Sequence, residues 1–349
     1  MKKSIFLPIA LIVIMATPLM IQGAQISFYI GKVKLYRNGS KIRPSMGKIL
    51  KAGDLIVTGR RSKIDIRYSD GSRISIKSHS KVRFGSKSIA NSKHIALISG
   101  NLTGKFNKFS KNRRSHKIVT PTIVCAVRGT EFKVTVSKSG NSRVDLANGK
   151  LQLDNPSGRE YLNANQQMQA KISQPPRVGP ISSNIKSWQS AENKRLKNNP
   201  KKISNSYKSY MNQFSSRSNK QSKEVKNHKK KVKKAKSMDD LSWEGKKINE
   251  SEDKIENDLL LNETSYASIN DILQDYKRRK NRIYKIFYRI KRESNKVRQQ
   301  QERNYRELQA VRRAYQEAKA KIKGKFEADK KKINNINLKK FKPSFDFKK

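Results

Sequence analysis

The fold of this chain is decided by the stretch Thr120-Pro-Thr-Ile-Val-Cys-Ala-Val-Arg-Gly-Thr-Glu-Phe132. An almost uncharged run ends abruptly at Arg128, and alternating apolar and polar residues follow, which is typical of β-strands. Gly129 favours a sharp bend or bulge where the two parts join. We expect Arg128 and Glu131 to close an ion pair across this bend, or to contact a ligand or partner.

Short strands separated by turn signals extend on both sides of this stretch, over residues 25–175. Around Asp70-Gly71, a three-residue loop at 70–72 would pair Tyr68 with Ile74 and Ile66 with Ile76, placing all four on one face. The same reasoning predicts a three-stranded antiparallel meander from Phe132 to Leu153. It would pair Val134 with Leu146 across Gly140, and Leu146 with Leu151 across Asn148-Gly149.

These motifs resemble the FecR-like family, an all-β module of bacterial envelopes. Its best-known members sense occupied iron-transport receptors and regulate a sigma factor. The resemblance covers residues 25–175, and Asn165 stands where the family pattern has a glycine. It implies an antiparallel sandwich or short β-roll. Only residues 1–24 precede the domain, so we expect the cytoplasmic anti-sigma arm to be absent. Seven residues of the motif are expected to be structural or to contact a partner: Thr120, Pro121, Arg128, Gly129, Thr130, Glu131 and Phe132.

The first 24 residues have the features of a secretory signal peptide. Lys2 and Lys3 precede an apolar run at 5–21, and the small residues Gly23 and Ala24 follow. We expect cleavage there, no later membrane span, and a location in the periplasm or at the cell surface.

Positive charge is the second global feature, with 80 Lys and Arg against 27 Asp and Glu. In an exported protein this charge favours anionic envelope polymers or lipid headgroups over nucleic acid. Residues 176–250 are rich in Lys, Asn and Ser, and they are expected to form a largely disordered linker. Its densest cluster is predicted to bind polyanions: Lys226, Lys229, Lys230, Lys231, Lys233, Lys234 and Lys236.

Residues 251–333 fit one heptad register and predict a coiled coil, followed by a basic tail at 334–349. Polar core positions at Ser294, Gln301 and Asn304 mark either a point where the helix folds back as a hairpin or a buried polar layer. A parallel homodimer is modestly favoured by the predicted pairs between Glu293 and Arg298 and between Glu307 and Arg312. Its oligomerisation residues would be Leu273, Tyr276, Ile283, Phe287, Ile290, Val297, Asn304, Leu308, Val311 and Tyr315.

Catalytic and metal-binding motifs are missing from the sequence. Cys125 is expected to be a buried hydrophobic residue, and the four histidines lack the spacing of a zinc site. We therefore predict no catalytic residue, metal or cofactor. The leading hypothesis is a segregated α+β envelope protein, not an enzyme, whose β domain binds an envelope component or an envelope protein. The alternative is a sensor that relays the state of a receptor or transporter to a membrane partner.

Overall fold

A computed structural model describes residues 24–86, 88–89, 94–108, 116–182, 184–276 and 282–340, without the side chains of 334–340. The fold is α+β with its two classes segregated, as predicted: strands occupy the N-terminal half and helices the C-terminal half. The strands are β1 Gln25–Ile30, β2 Val33–Arg37, β3 Ser40–Ile42, β4 Leu55–Thr58, β5 Lys63–Arg67, β6 Arg73–Ile76, β7 Lys81–Phe84, β8 Ile95–Lys105, β9 His116–Val119, β10 Val124–Val127, β11 Glu131–Val136, β12 Ser142–Asn148, β13 Lys150–Asn155, β14 Gly158–Asn163, β15 Gln166–Ala170 and β16 Arg177–Pro180. The helices are α1 Ile185–Asn198, α2 Pro200–Lys234, α3 Met238–Tyr276 and α4 Arg282–Lys340.

The β region has two layers that share the long strand β8. One layer has the strand order β1-β5-β6-β8-β11-β12-β15-β16 and uses the second half of β8. The other has the order β3-β2-β4-β7-β8-β9-β10-β13-β14 and uses the first half. Gly100, with a φ of 101°, lies between the two halves, and a Cβ at this position would collide with Ser80. The main core fills the space between the layers.

The helical region is a three-helix bundle with α1 at its base. α3 and α4 run antiparallel, since Asn270 contacts Lys291 while Glu252 contacts Gln309 and Arg312. α2 runs parallel to α4, because Tyr207 packs on Phe287 near the start and Ser218 bonds to Asn304 further along.

Charge explains how the bundle attaches to the β region. α3 carries 11 acidic residues and three lysines, whereas α2 carries one acidic and 12 basic residues. Lys81 of β7 pairs with Asp271 of α3 at 2.5 Å, and Lys117 of β9 pairs with Glu256 at 3.1 Å. The acidic helix thus lies between the basic β domain and the basic helices of the bundle.

Two predicted hairpins have the expected face but a different register. Ile66 pairs with Ile74 and Ile64 with Ile76. The loop has three residues, but it occupies 69–71, with the left-handed Gly71 last. Likewise Val134 pairs with Val144, and Gly140 is the last residue of its loop. In such loops a type I turn comes first and the left-handed residue closes it, which moves the pairing by two residues.

The predicted meander from Phe132 to Leu153 is wrong. β12 pairs with β11 and β15, whereas β13 pairs with β10 and β14. Asn148-Gly149 therefore carries the chain from one layer to the other, with Gly149 at a φ of 91°. Apolar residues on β12 and β13 share the core because the layers face each other.

The helical region also differs from the sequence-based expectation. In place of a disordered linker at 176–250, the structure has β16, α1, α2 and the start of α3. A lysine-rich helix such as α2 becomes stable because one apolar stripe is buried, and the linker prediction overlooked this stripe. The coiled-coil segment is divided into α3 and α4, with α3 ending at Tyr276 and not near Ser294. Of the predicted signal segment at 1–24, all but Ala24 lies outside the described residues. Of the predicted tail at 334–349, residues 334–340 continue α4 and 341–349 lie outside the described residues.

Candidate functional site

The motif segment is buried on two sides, which explains its almost uncharged sequence. On β9 and β10, Ile118, Cys125 and Val127 face the main core between the layers. Val119 and Val124 instead belong to a second core shared with α2, α3 and α4. A strand that is covered on both faces reads as a continuous apolar run rather than an alternating one.

Hydroxyl groups fix the turn between β9 and β10. Thr120 Oγ1 accepts hydrogen bonds from the backbone N–H groups of Thr122 and Ile123, at 3.2 and 3.1 Å. Ser142 Oγ of β12 donates to Thr120 Oγ1 at 2.8 Å, and Thr122 Oγ1 donates to Ser142 Oγ at 2.6 Å. These contacts tie the turn to the opposite layer.

The same turn is an attachment point for the bundle. Ser265 Oγ of α3 donates to the Pro121 carbonyl at 2.8 Å, and both residues are buried. A second attachment point is the loop between β11 and β12, where Tyr207 of α2 donates to the Ser139 carbonyl at 3.1 Å. The motif thus positions the helices as well as the strands.

The bend at the end of the motif is a backbone feature. Gly129 has a φ of 62°, and Thr130 exchanges two backbone hydrogen bonds with Phe106, at 2.9 and 3.1 Å. Phe132 stacks on Phe106 with centroids 5.8 Å apart. Glu131 pairs with Lys105 of β8 at 3.6 Å, and Arg128 is exposed.

Two buried titratable groups near this motif are held in their neutral forms. Burial, with a smaller contribution from Asp154, raises the pKa of the Cys125 thiol well above its usual range. Burial lowers the pKa of His94 to about 3, with further contributions from Lys117 and Arg83. A thiol with a raised pKa is a poor nucleophile.

A groove of about 720 Å³ crosses the outer face of β2, β4 and β7. Its floor has two rows of cross-strand neighbours. Tyr36, Leu55 and Arg83 form one row, and Lys34, Val57 and Lys81 form the other. Each row has an aliphatic centre and a cation at one end at least.

Arg83 lies at the end of its row that faces α3. Its Nε has no hydrogen-bond partner within the described structure, although Glu263 and Asp271 of α3 lie near enough to act on its charge. Burial lowers the pKa of the guanidinium, which still leaves it charged at neutral pH. Glu263 itself accepts hydrogen bonds from Ser86 and Ser88, at 2.8 and 2.5 Å.

Six of the seven lysines predicted to bind polyanions lie on the exposed side of the second half of α2, and the seventh, Lys236, is exposed just after the helix ends at Lys234. We name this surface the lysine ridge. Val225, His228 and Val232 are buried on the opposite side of the helix. His228 bonds to Glu244 at 2.5 Å and to Ser251 at 2.9 Å on α3. Lys231 pairs with Glu244 at 3.7 Å.

The residues predicted for oligomerisation lie within one chain's bundle. Phe287, Ile290, Leu308 and Val311 are buried in its two clusters, and Leu273 is buried with the first of them. Asn304 is fully buried. The remaining members are partly buried against these clusters, and they are Tyr276, Ile283, Val297 and Tyr315. The heptad pattern is therefore used in contacts among α2, α3 and α4.

Polar core positions form a buried layer in the bundle. Asn262 Nδ2 donates to Gln301 Oε1 at 2.9 Å, and Ser294 Oγ donates to Asn262 Oδ1 at 2.8 Å. Asn304 Nδ2 donates to the Ser218 carbonyl of α2 at 2.8 Å. This is the polar-layer alternative, within a single chain. Arg298 and Arg312, which were predicted to form ion pairs with a second chain, form ion pairs within this chain instead. Arg298 pairs with Glu302 and Arg312 pairs with Glu252.

The structure contains two further findings that bear on function. Among the described residues, none of the helices is both long enough and apolar enough to cross a lipid bilayer. Within the same residues, there is no group of three or more His, Cys, Asp or Glu side chains arranged to hold a metal ion.

Sequence reasoning missed the groove and the acidic character of α3. The groove residues come from three strands, so they are adjacent only after β2, β4 and β7 pair. The acidic block of α3 was visible in composition, because 11 acids fall within 39 residues of a basic chain. The role of this block in attaching the bundle to the β domain became clear only from the basic surfaces that α3 contacts.

Comparisons with known proteins agree with the motif. Residues 54–152 match the model of the family described as FecR protein, so the chain contains a FecR domain. Two crystal structures, at 1.65 and 2.50 Å resolution, of "a putative anti-sigma factor" from Parabacteroides distasonis ATCC 8503 are similar at 14% identity and a TM-score of 0.32. The matches cover 38% and 37% of this chain, and less than two thirds of those chains, at 63% and 60%. No curated protein matches.

Proposed function

We propose that this protein is a non-enzymatic, exported component of the cell envelope that binds an acidic polymer of the envelope. The lysine ridge carries this proposal. Six exposed lysines in the second half of α2 and Lys236 just after it form one surface, and only Lys231 has an ion pair among the described residues. Unpaired, clustered lysines attract polyanions by releasing counterions, without any need for a shaped pocket.

The groove on the FecR domain provides a second, more selective contact. Tyr36 gives an aromatic surface, Leu55 and Val57 an apolar floor, and Arg83 positive charge, while Lys34 lies next to Val57 at the β2 margin of the groove. A ring with a carboxylate suits this combination, since apolar and aromatic surfaces bind a sugar face and a guanidinium binds a carboxylate. Asp271 and Glu263 lie near Arg83 on the α3 side and oppose an anion there, so the carboxylate should lie toward Lys34, at the β2 side of the groove.

Binding to polygalacturonate, a soluble acidic polysaccharide, tests the ridge. Replacing its seven lysines by Gln should weaken binding at low salt by about tenfold or more and should flatten the salt dependence. The matched control replaces seven exposed lysines that are spread over the surface: Lys41, Lys51, Lys77, Lys108, Lys150, Lys186 and Lys194. Equal losses in both variants would contradict the ridge as a site, because net charge alone would then explain the binding. Uncharged dextran should not bind.

The groove has its own test with a short oligogalacturonide. Tyr36→Ala should weaken binding of this ligand, whereas Lys229→Gln on the ridge should leave it nearly unchanged. Both residues are at least partly exposed, so neither change removes core packing. Equal binding by the parent and Tyr36→Ala would contradict the groove as a sugar site.

Signal relay is the second candidate function. It is favoured by the FecR domain together with the Pro121–Ser265 contact, which connects the motif directly to α3. In that case the β domain would detect a receptor or transporter, and the bundle would pass the event to a membrane partner. Pull-down from envelope fractions distinguishes the two functions. One protein partner that stays bound at high salt would support relay, whereas salt-labile retention on acidic polymer supports the leading proposal.

A further inference from the structure

The end of α4 continues beyond the bundle as a helix that no element among the described residues covers. Ala318 still packs partly in the last cluster of the bundle. From 319 to 333 every residue is exposed except Ile322, which is half-buried. A Cβ added at Gly324 would meet no atom within 4 Å, which agrees with open surroundings. We name residues 319–333 the α4 end.

Three large apolar residues form a stripe along the α4 end. Phe326 is 65% exposed and Ile333 is 59% exposed, and Ile322 lies one turn before Phe326. With 3.6 residues per turn, these three positions fall within about 40° of one another around the helix axis. Exposed apolar side chains that are aligned in this way indicate a surface that is buried on binding.

Lysines border this stripe on both sides. Measured around the helix axis from the centre of the stripe, three lysines lie at about 40–80° on one flank and three at about 80–120° on the other, by the same helical geometry. They are Lys319, Lys323 and Lys330 on one flank, and Lys321, Lys325 and Lys332 on the other. None of the six takes part in an ion pair with another described residue. Asp329 lies about 40° from the centre of the stripe, beside its edge, and Glu327 lies about 120° from it, behind the lysines of the first flank.

We propose that the α4 end lies flat on an anionic lipid surface. The apolar stripe would enter the boundary between headgroups and acyl chains, while the lysine stems extend sideways to place their ammonium groups among the phosphates. A soluble acidic polymer could neutralise the lysines, but it would leave Ile322, Phe326 and Ile333 in water. The apolar stripe is therefore what selects a lipid surface over such a polymer.

The experiment uses the chain from residue 24, because the apolar run at 5–21 could itself enter lipid. Vesicles contain phosphatidylglycerol and phosphatidylcholine, and pure phosphatidylcholine vesicles serve as the uncharged comparison. The double change Phe326→Gln and Ile333→Gln should reduce binding to the anionic vesicles by about tenfold or more. Asp329→Asn should strengthen it, since one opposing charge leaves the edge of the stripe. The matched control is Met46→Gln with Tyr161→Gln, two exposed residues of the β domain, which should change nothing.

A spectroscopic variant reports the contact directly. With Trp188 and Trp243 changed to Phe, Phe326→Trp should show a blue-shifted emission on anionic vesicles and no blue shift on addition of polygalacturonate. Unchanged vesicle binding by the double variant, or no emission shift, would overturn the proposal. The double variant should still bind polygalacturonate normally through the lysine ridge, so failure here is distinguishable from failure of the proposed function.

Discussion

Two lysine-rich helical surfaces at the same end of the bundle differ in what lies behind them. On the lysine ridge of α2, the apolar stripe of Val225 and Val232 is covered by α3 and α4. On the α4 end, the stripe of Phe326 and Ile333 is not covered by any described element. Composition is similar in the two, but the covered stripe stabilises the fold and the uncovered one remains available for a partner. Lysine content alone therefore does not identify the kind of anionic surface that a helix meets.

The largest expected effect separates covered from uncovered aromatic residues. Phe214 is fully buried on α2 and packs on Tyr210 with ring centroids 4.5 Å apart. Phe214→Ala should lower the unfolding free energy by about 3–5 kcal/mol. Phe326→Ala should change that free energy by less than about 0.5 kcal/mol. Urea unfolding of both variants measures the difference. Similar losses in the two would mean that the α4 end is packed after all.

A second effect is the pH dependence of stability that buried His94 of the β domain causes. Because the pKa of His94 is lowered to about 3, the folded chain keeps this imidazole neutral while the unfolded chain takes up a proton below about pH 6.5. Stability should therefore fall as the pH drops from about 6.5 toward 3, by about 2 kcal/mol at pH 5 from this residue alone.

His94→Asn is the variant that isolates this residue. Between about pH 7.5 and about pH 5, the unfolding free energy of the variant should fall by about 2 kcal/mol less than that of the parent. An identical pH dependence in parent and variant would show that His94 is not kept neutral by the fold.

The attachment of the bundle to the FecR domain should give a smaller effect. Ser265→Ala removes the donor to the buried Pro121 carbonyl and should cost about 1–2 kcal/mol. Ser187→Ala, at an exposed position on α1, is the control and should cost less than about 0.5 kcal/mol. Limited proteolysis would add to the measurement, because loosening of the helices should expose α3 to cleavage before the β domain. Equal stability of the two variants would contradict the attachment role of the motif turn.

The smallest expected effect is on stability at the ridge itself. Changing Lys229 and Lys230 to Gln should alter the unfolding free energy by less than about 0.5 kcal/mol, because both side chains are exposed and neither has a partner among the described residues. A clear loss of thermal stability would show that the ridge lysines hold the bundle together, which would weaken their assignment to polyanion binding.

Much of the β domain was predictable from the sequence because local signals determine it. The motif at 120–132 identified the FecR domain, and Gly71 and Gly140 are in the left-handed conformation that their loops require. Asn165, which replaces the expected glycine, adopts a φ of 62°, as asparagine can. The crossing at Asn148-Gly149 could not be predicted, since a two-residue turn and a passage between layers have the same local sequence.

The helical region was harder to predict for a physical reason. A strict heptad repeat says that a helix has a covered stripe, but it does not say whether the cover comes from another chain or from the same one. Here α2 provides it, and α2 lies in the segment whose lysine content predicted disorder. Val225, His228 and Val232 were the available signal, with the spacing of three and four residues that a covered helix shows.

Vesicle binding at two salt concentrations tests the contrast between the two surfaces most directly. Anionic vesicles would be titrated with the parent chain from residue 24, the seven-lysine ridge variant, and the Phe326→Gln, Ile333→Gln variant, at about 50 and about 500 mM NaCl. We expect the ridge variant to lose binding mainly at low salt, and only the stripe variant to lose the binding that remains at high salt. High-salt binding that survives in the stripe variant, or that disappears in the ridge variant, would contradict this expectation.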